Sequence, residues 1–280
     1  SFGFCKAHAA AFALPTYQSA WLKAHHPAAF FAGILTHDPG MYPKRLILDD
    51  ARLFGVAVLG PDINRSRDAY LVERIGSREG IRLPLSEVKG ISADEVAGIM
   101  AGQPYASLAD AWNRAGMSRP TAEGLVVTGA FDAMYGFGMH GRDAQGRPMG
   151  YRVGRRGQLT RRDLLLQVVE LDRRSAASRA GTSQLLLDLG DDPAAQPPSG
   201  LPEMSDADRV RAEIDVLGMD VSHHVLAFHE EMLAQLGVTR SHGLLSCRSG
   251  QDVLVAGVKA ATQTPPIRSG RRVVFVTVDD

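Results

Sequence analysis

Lys6 and His8 stand two residues apart, just after Gly3 and at the start of an alanine-rich run that ends at Leu14. A helix beginning there has unpaired backbone N–H groups at the positive end of its dipole, and a lysine and a histidine add further donors. The chemistry this suits is the holding of an anion, a phosphate above all. Lys89-Gly90-Ile91-Ser92 offers the same chemistry in another form, a glycine turn leading into a helix start. Arg142, Arg147, Arg152, Arg155, Arg156, Arg161 and Arg162 would add an attraction to phosphates that is indifferent to base sequence and falls with salt. They could equally form a solvated loop. Bond-making chemistry is not apparent. Phosphoryl transfer on two metal ions requires clustered carboxylates, whereas Asp49-Asp50 falls on a surface-type helical pattern and Asp279-Asp280 follows a strand-like run. The histidine pairs His25-His26 and His223-His224 have no cysteine at zinc spacing, so no metal site is expected.

The elements that must position these residues are mostly helical. Residues 7–36 read as helix, with Pro15 expected to kink or restart it and Pro27 at the first turn of a second segment. Residues 44–54 read as a helix closed by Gly55, and 56–60, 69–74 and 80–85 as short strands. Residues 85–88, the turn at Lys89-Gly90-Ile91-Ser92 and residues 93–100 form a helix-hairpin-helix pattern, in which hairpin amides accept phosphate without reading bases. A second helix pair covers residues 107–114 and 120–128. Residues 136–158 are a Gly- and Arg-rich loop, 160–174 an amphipathic helix, and 191–201 a linker. Residues 205–217 and 224–235 are further helices, while 252–260 and 271–278 alternate like strands.

Composition sets the bounds. The chain of 280 residues is long enough for two or three domains, and 45% hydrophobic with 22% charged residues is ordinary for a globular protein. No apolar run reaches membrane-spanning length and no signal peptide is recognisable, so a cytoplasmic protein without membrane attachment is expected. Two cysteines, Cys5 and Cys247, give no disulfide framework. The 31 basic and 31 acidic residues balance, which argues against a uniformly basic coat. The balance hides a division: ten arginines face four acids over residues 136–182, and eleven acids face two arginines over residues 184–235.

Residues 3–14, read with Tyr17-Gln18-Ser19-Ala20-Trp21-Leu22-Lys23-Ala24-His25-His26-Pro27-Ala28-Ala29-Phe30, resemble the fingers domain of the bacterial DnaE-type DNA polymerase III alpha subunit, a C-family polymerase. Val58-Leu59-Gly60-Pro61-Asp62-Ile63-Asn64, Val88-Lys89-Gly90-Ile91 and Thr128-Gly129-Ala130-Phe131-Asp132 look like later landmarks of that family, in its order. The resemblance spans nearly the whole chain and leaves the replicative or error-prone subtype open.

What the resemblance implies is a mainly α fold with short β elements: fingers-type helices (1–75), a helix-hairpin-helix region with a basic loop (76–180), a clamp-contact segment with linker and helices (181–240), and the first strands of a truncated OB fold (241–280). It implies nucleotide contacts at Lys6 and His8, although Cys5 and Ala7 stand where the family has asparagine and serine. DNA contacts are implied at Lys89, Gly90, Ile91, Ser92, Arg155 and Arg156. Gln184, Leu185, Leu187 and Leu189 are similar to a sliding-clamp-binding peptide, with glutamine on a polar rim and leucines in an apolar pocket. The implied partners are primer-template DNA, deoxynucleoside triphosphates, the sliding clamp and other replisome subunits. The implied cofactor is Mg2+, held by palm-domain aspartates that this chain lacks, so these 280 residues alone are not expected to polymerise. A non-catalytic DNA-binding adaptor built of the same modules is the alternative.

Overall fold

The computed structural model describes residues 5–38, 40, 42–137, 141–142, 159–179, 198–264 and 273–280. Arg147, Arg152, Arg155, Arg156 and the peptide from Gln184 to Leu189 lie outside the described residues. The chain folds as two units, Ser1–Ser222 and His223–Asp280.

The first unit opens with α1 (Lys6–His25), which runs unbroken through Pro15 and buries none of its residues. The helix does not restart at Pro15. Proline removes one N–H donor, but the Ala11 carbonyl left without it lies on an exposed helix where water can serve it. The C-terminal part of α1 is moored by Lys23, whose Nζ lies 2.7 Å from Asp50 and over the rings of Phe54 and Phe31. The Trp21 ring lies tilted against both His25 and His26, at 4.7 and 5.4 Å between ring centroids.

α2 (Pro27–His37) starts on its proline and buries Ala28, Phe31, Ala32 and Leu35, the spacing of a single helical face. α3 (Lys44–Leu53) follows, and Gly55 takes the left-handed conformation that ends it. A four-stranded sheet lies next, in the order β2-β3-β1-β4. β1 (Ala57–Leu59) is buried throughout and pairs parallel with β3 (Arg78–Arg82), which forms an antiparallel hairpin with β2 (Leu71–Ile75). β4 (Gly141–Arg142) lies antiparallel on the other side of β1.

Beyond the sheet the unit is helical: α4 (Ala93–Gly102), α5 (Leu108–Ala115), α6 (Arg119–Val127), the short α7 (Asp132–Tyr135), α8 (Arg161–Arg179) and α9 (Asp206–Leu217). One core joins α2, α3, the sheet and these helices, with Leu35, Leu48, Val58, Ile81, Ile99, Leu125, Phe131 and Val168 among its buried members. Arg161, with 1% of its surface exposed, locks α8 to α7 through bonds of 3.0 and 2.7 Å to Asp132 and donates to the Val127 carbonyl at 2.7 Å. By sequence Arg161 belongs with the phosphate-attracting arginines. Its burial corrects that, because a guanidinium enclosed by a carboxylate and a carbonyl presents no field to an external strand. Arg162 is partly exposed and pairs weakly with Asp208 at 3.4 Å.

The second unit holds a 3-10 turn at Val225–His229, α10 (Glu230–Gln235), a second 3-10 segment at Ser241–Ser246, and β5 (Val258–Gln263) paired antiparallel with β6 (Phe275–Asp279). Both strands start later than the apolar runs predict. Val253-Leu254-Val255 precedes β5, and the pairing is irregular between Lys259 and Ala261. At Gly257 a Cβ would sit 2.8 Å from the Asp279 carbonyl, so the ribbon closes there only on glycine.

Candidate nucleic-acid interface

A 3-10 turn at Leu85–Glu87 leads into the hairpin Val88-Lys89-Gly90-Ile91-Ser92 and then into α4. The hairpin closes on itself through Ile91 N–H to the Val88 carbonyl at 3.1 Å, and Gly90 has φ +82°, a conformation costly for any side chain. Val88 is buried, while Lys89, Gly90 and Ser92 are exposed. Most of the amides are already bonded, however. Lys89 N–H donates to the Val216 carbonyl of α9 at 2.9 Å, and Ser92 N–H donates to Glu95 at 2.9 Å. The donors left for an external phosphate are the N–H groups of Gly90, Ala93 and Asp94, with the Lys89 ammonium beside them.

A second hairpin stands next to the first. α5 ends at Gly116 (φ +69°), Met117 is buried, and Ser118 begins α6. The triplet Gly116-Met117-Ser118 repeats the pattern of Gly90-Ile91-Ser92: a left-handed glycine, an inward apolar residue and an exposed serine at a helix start. Sequence reading placed a helix pair here without assigning it a site. The repeated triplet was the available signal.

Glu95 joins the two hairpins. One carboxylate oxygen accepts from Ser92 N–H and Ser92 Oγ, both at 2.9 Å, and the other accepts from Ser118 N–H at 2.8 Å. Burial would raise its pKa, but the Ser118 and Ser92 amides and the Thr121 and Ser118 hydroxyls outweigh that and hold it at about 2. Glu95 N–H in turn donates to Ser92 Oγ at 3.2 Å, completing a capping box.

The other anion-facing group, at the start of α1, is built differently. Lys6 and His8 are exposed, and at two positions apart on a helix their side chains leave on different sides. The structure therefore does not bring them together. His8 lies edge-on to Phe12 at 4.6 Å. The first turn of α1 carries no acid, and the N–H groups of His8 and Ala7 lower the pKa of the exposed Cys5 thiol. This helix end favours negative charge even without the asparagine seen in the family pattern.

Among the described residues the carboxylates do not form a metal centre suited to phosphoryl transfer. Asp49 contacts Arg52, Asp50 holds Lys23 at 2.7 Å, Asp280 accepts from Ser241 N–H at 2.6 Å, and Asp279 lies 3.3 Å from His224. Each is committed to a partner of its own, and among the described residues no three His, Cys, Asp or Glu side chains are grouped to hold a metal. No described helix is long and apolar enough to cross a membrane.

Two adjacent hairpins, each opening a helix, define the class: residues 55–141 match the family described as a helix-hairpin-helix motif. Similarity then runs from end to end of the chain. It is 34% identical to the error-prone DNA polymerase of Symbiobacterium thermophilum and 34% identical to that of Nocardia farcinica, covering all of this chain but 27% and 22% of theirs. The error-prone DNA polymerase of Sinorhizobium medicae is 32% identical over all of this chain and 25% of its own length. Over its whole length the chain is therefore homologous to part of the error-prone members of the DnaE-type DNA polymerase family, and it spans about a quarter of the relatives it matches.

Proposed function

We propose that this chain is the part of an error-prone, DnaE-type DNA polymerase that grips primer-template DNA and faces the incoming nucleotide, while bond formation takes place on carboxylates outside these 280 residues. The observation that carries this reading is the hairpin pair, with Gly90, Ala93 and Asp94 N–H groups and the Lys89 ammonium open to a phosphate, in a chain similar end to end to error-prone polymerases. Backbone donors at helix starts hold phosphates of any sequence, which a polymerase needs of a DNA grip. Mg2+ belongs to the absent carboxylates. Among the described residues Asp49, Asp50, Asp279 and Asp280 are each held by a partner of their own.

In the same reading Lys6 or His8, at the positive end of α1, supplies charge toward a leaving pyrophosphate and does not act as a base. Gln184, Leu185, Leu187 and Leu189 bind the sliding clamp, Arg155 and Arg156 strengthen the hold on DNA, and the β5-β6 ribbon opens an OB fold. The setting is the cytoplasm, among other replisome subunits.

The test is the salt dependence of duplex binding by the 280-residue chain. Lys89→Ala should weaken binding evenly across sequences and lower the salt slope by about 1. Absence of salt-dependent binding in the unaltered chain would overturn the reading. Separately, Gln184→Ala with Leu187→Ala should abolish clamp capture while DNA binding persists, and retained capture would remove the clamp from the proposal.

A further inference from the structure

The feature that the DNA-binding reading leaves unused is the bridge at Glu95. Its carboxylate is not a simple helix cap. A capping box needs only the bonds within residues 92–95, yet the second oxygen reaches out to Ser118 N–H at 2.8 Å, at the start of the other hairpin. Gly98, one turn further along the same face of α4, lies so close to the second hairpin that a Cβ would stand 2.4 Å from the Ala115 carbonyl. Glu95 and Gly98 thus hold α4 and the second hairpin at one separation, the first by bonding and the second by allowing contact. α6 is fixed from the other side, where a Cβ at Gly124 would meet Val88 at 3.1 Å and Val216 at 3.4 Å.

We propose that Glu95 is the positioning residue of the DNA grip: one carboxylate ties Ser92 of the first hairpin to Ser118 of the second, and so sets the spacing at which both hairpins meet the phosphates of one duplex. This rests on the reading that the hairpins bind DNA. It also fixes an unusual sign. Glu95 is an anion beside a phosphate-binding surface, so its charge alone opposes DNA, and removing it should tighten binding on electrostatic grounds. Positioning makes the opposite prediction, because hairpins no longer held in register cannot both engage.

The experiment compares the unaltered 280-residue chain with Glu95→Ala, Glu95→Gln, Asp94→Ala and Lys89→Ala on a short blunt DNA duplex, titrated with salt at pH 7. Asp94→Ala removes the same charge from the same helix end without touching the bridge, and should bind as tightly as the unaltered chain or more so. Glu95→Ala should bind about tenfold more weakly and lose about 1 from the salt slope, as one hairpin's phosphate contact is lost. Glu95→Gln keeps one accepting oxygen and folds with less disturbance, so it should fall between them. A purely structural effect would lower the bound amplitude through unfolded molecules and leave the slope alone. If Glu95→Ala or Glu95→Gln binds as Asp94→Ala does, or loses affinity at an unchanged slope, positioning is refuted. If Lys89→Ala is also without effect, the DNA-binding reading itself has failed, a distinguishable result.

Discussion

The hairpin pair and α1 both present the start of a helix, where the dipole favours negative charge, but on opposite kinds of support. At the hairpins the protein itself holds three of the amides, Lys89 N–H by Val216 and Ser92 N–H and Ser118 N–H by Glu95, and the core holds the apolar Val88 and Met117. α1 has no buried residue, and beyond the mooring at Lys23 its geometry rests on helix-forming alanines and local hydrogen bonds. A site of the first kind is set before its ligand arrives. A site of the second kind keeps its helix but leaves the approach of Lys6 and His8 unspecified, since their side chains diverge.

The sharpest way to break this contrast is at the buried pair that joins α8 to α7. Arg161→Met should take from buried Asp132 the guanidinium that bonds both its oxygens and cost about 3–5 kcal/mol in denaturant unfolding. A loss below 1 kcal/mol would mean that α8 is not integral to the support.

The next largest effect separates the two regions directly. Gly98→Ala must push α4 away from the Ala115 carbonyl and should cost roughly 1–3 kcal/mol of global stability. Ala10→Gly on exposed α1 should weaken that helix by about 1 kcal/mol, seen in hydrogen exchange over residues 6–25, with no shift in the global unfolding midpoint. A midpoint shift for Ala10→Gly as large as for Gly98→Ala would abolish the distinction.

The smallest effect is in acid. Its hydrogen bonds hold the Glu95 carboxyl at about 2 in the folded protein against an ordinary value of 4.5, so the stability it contributes is complete above about pH 4.5 and is lost as pH falls through 2. The difference in melting temperature between the unaltered chain and Glu95→Ala should therefore be constant from pH 7 to 5 and shrink below that. A difference independent of pH down to 3 would show that the carboxylate's charge is not what the bridge uses.

Several elements were legible because their signals are local. Pro27 and the spacing of Ala28, Phe31, Ala32 and Leu35 define α2, Gly55 ends α3, Ser205 caps α9, and Gly90 marks the first hairpin. Failures came where a local signal had a distant competitor. Pro15 reads as a break, yet solvent exposure tolerates it. Arg161 reads as one more surface arginine in a basic stretch, yet Asp132 withdraws it into the interior. The strands near the end were placed too early, because an apolar run marks burial or exposure equally and only pairing partners fix where a strand begins.

By itself the sequence determined which residues can favour an anion and where helices start, because cap chemistry, glycine conformations and apolar spacing act within a few residues. It also carried the motif order that ties this chain to its polymerase relatives. Only the tertiary structure decided which donors remain open and which are taken. That outcome depends on Val216 meeting Lys89, Glu95 meeting Ser118 and Arg161 meeting Asp132, contacts between residues far apart in the chain, and at Arg161 and Asp132 burial makes an unpaired polar group too costly to leave alone.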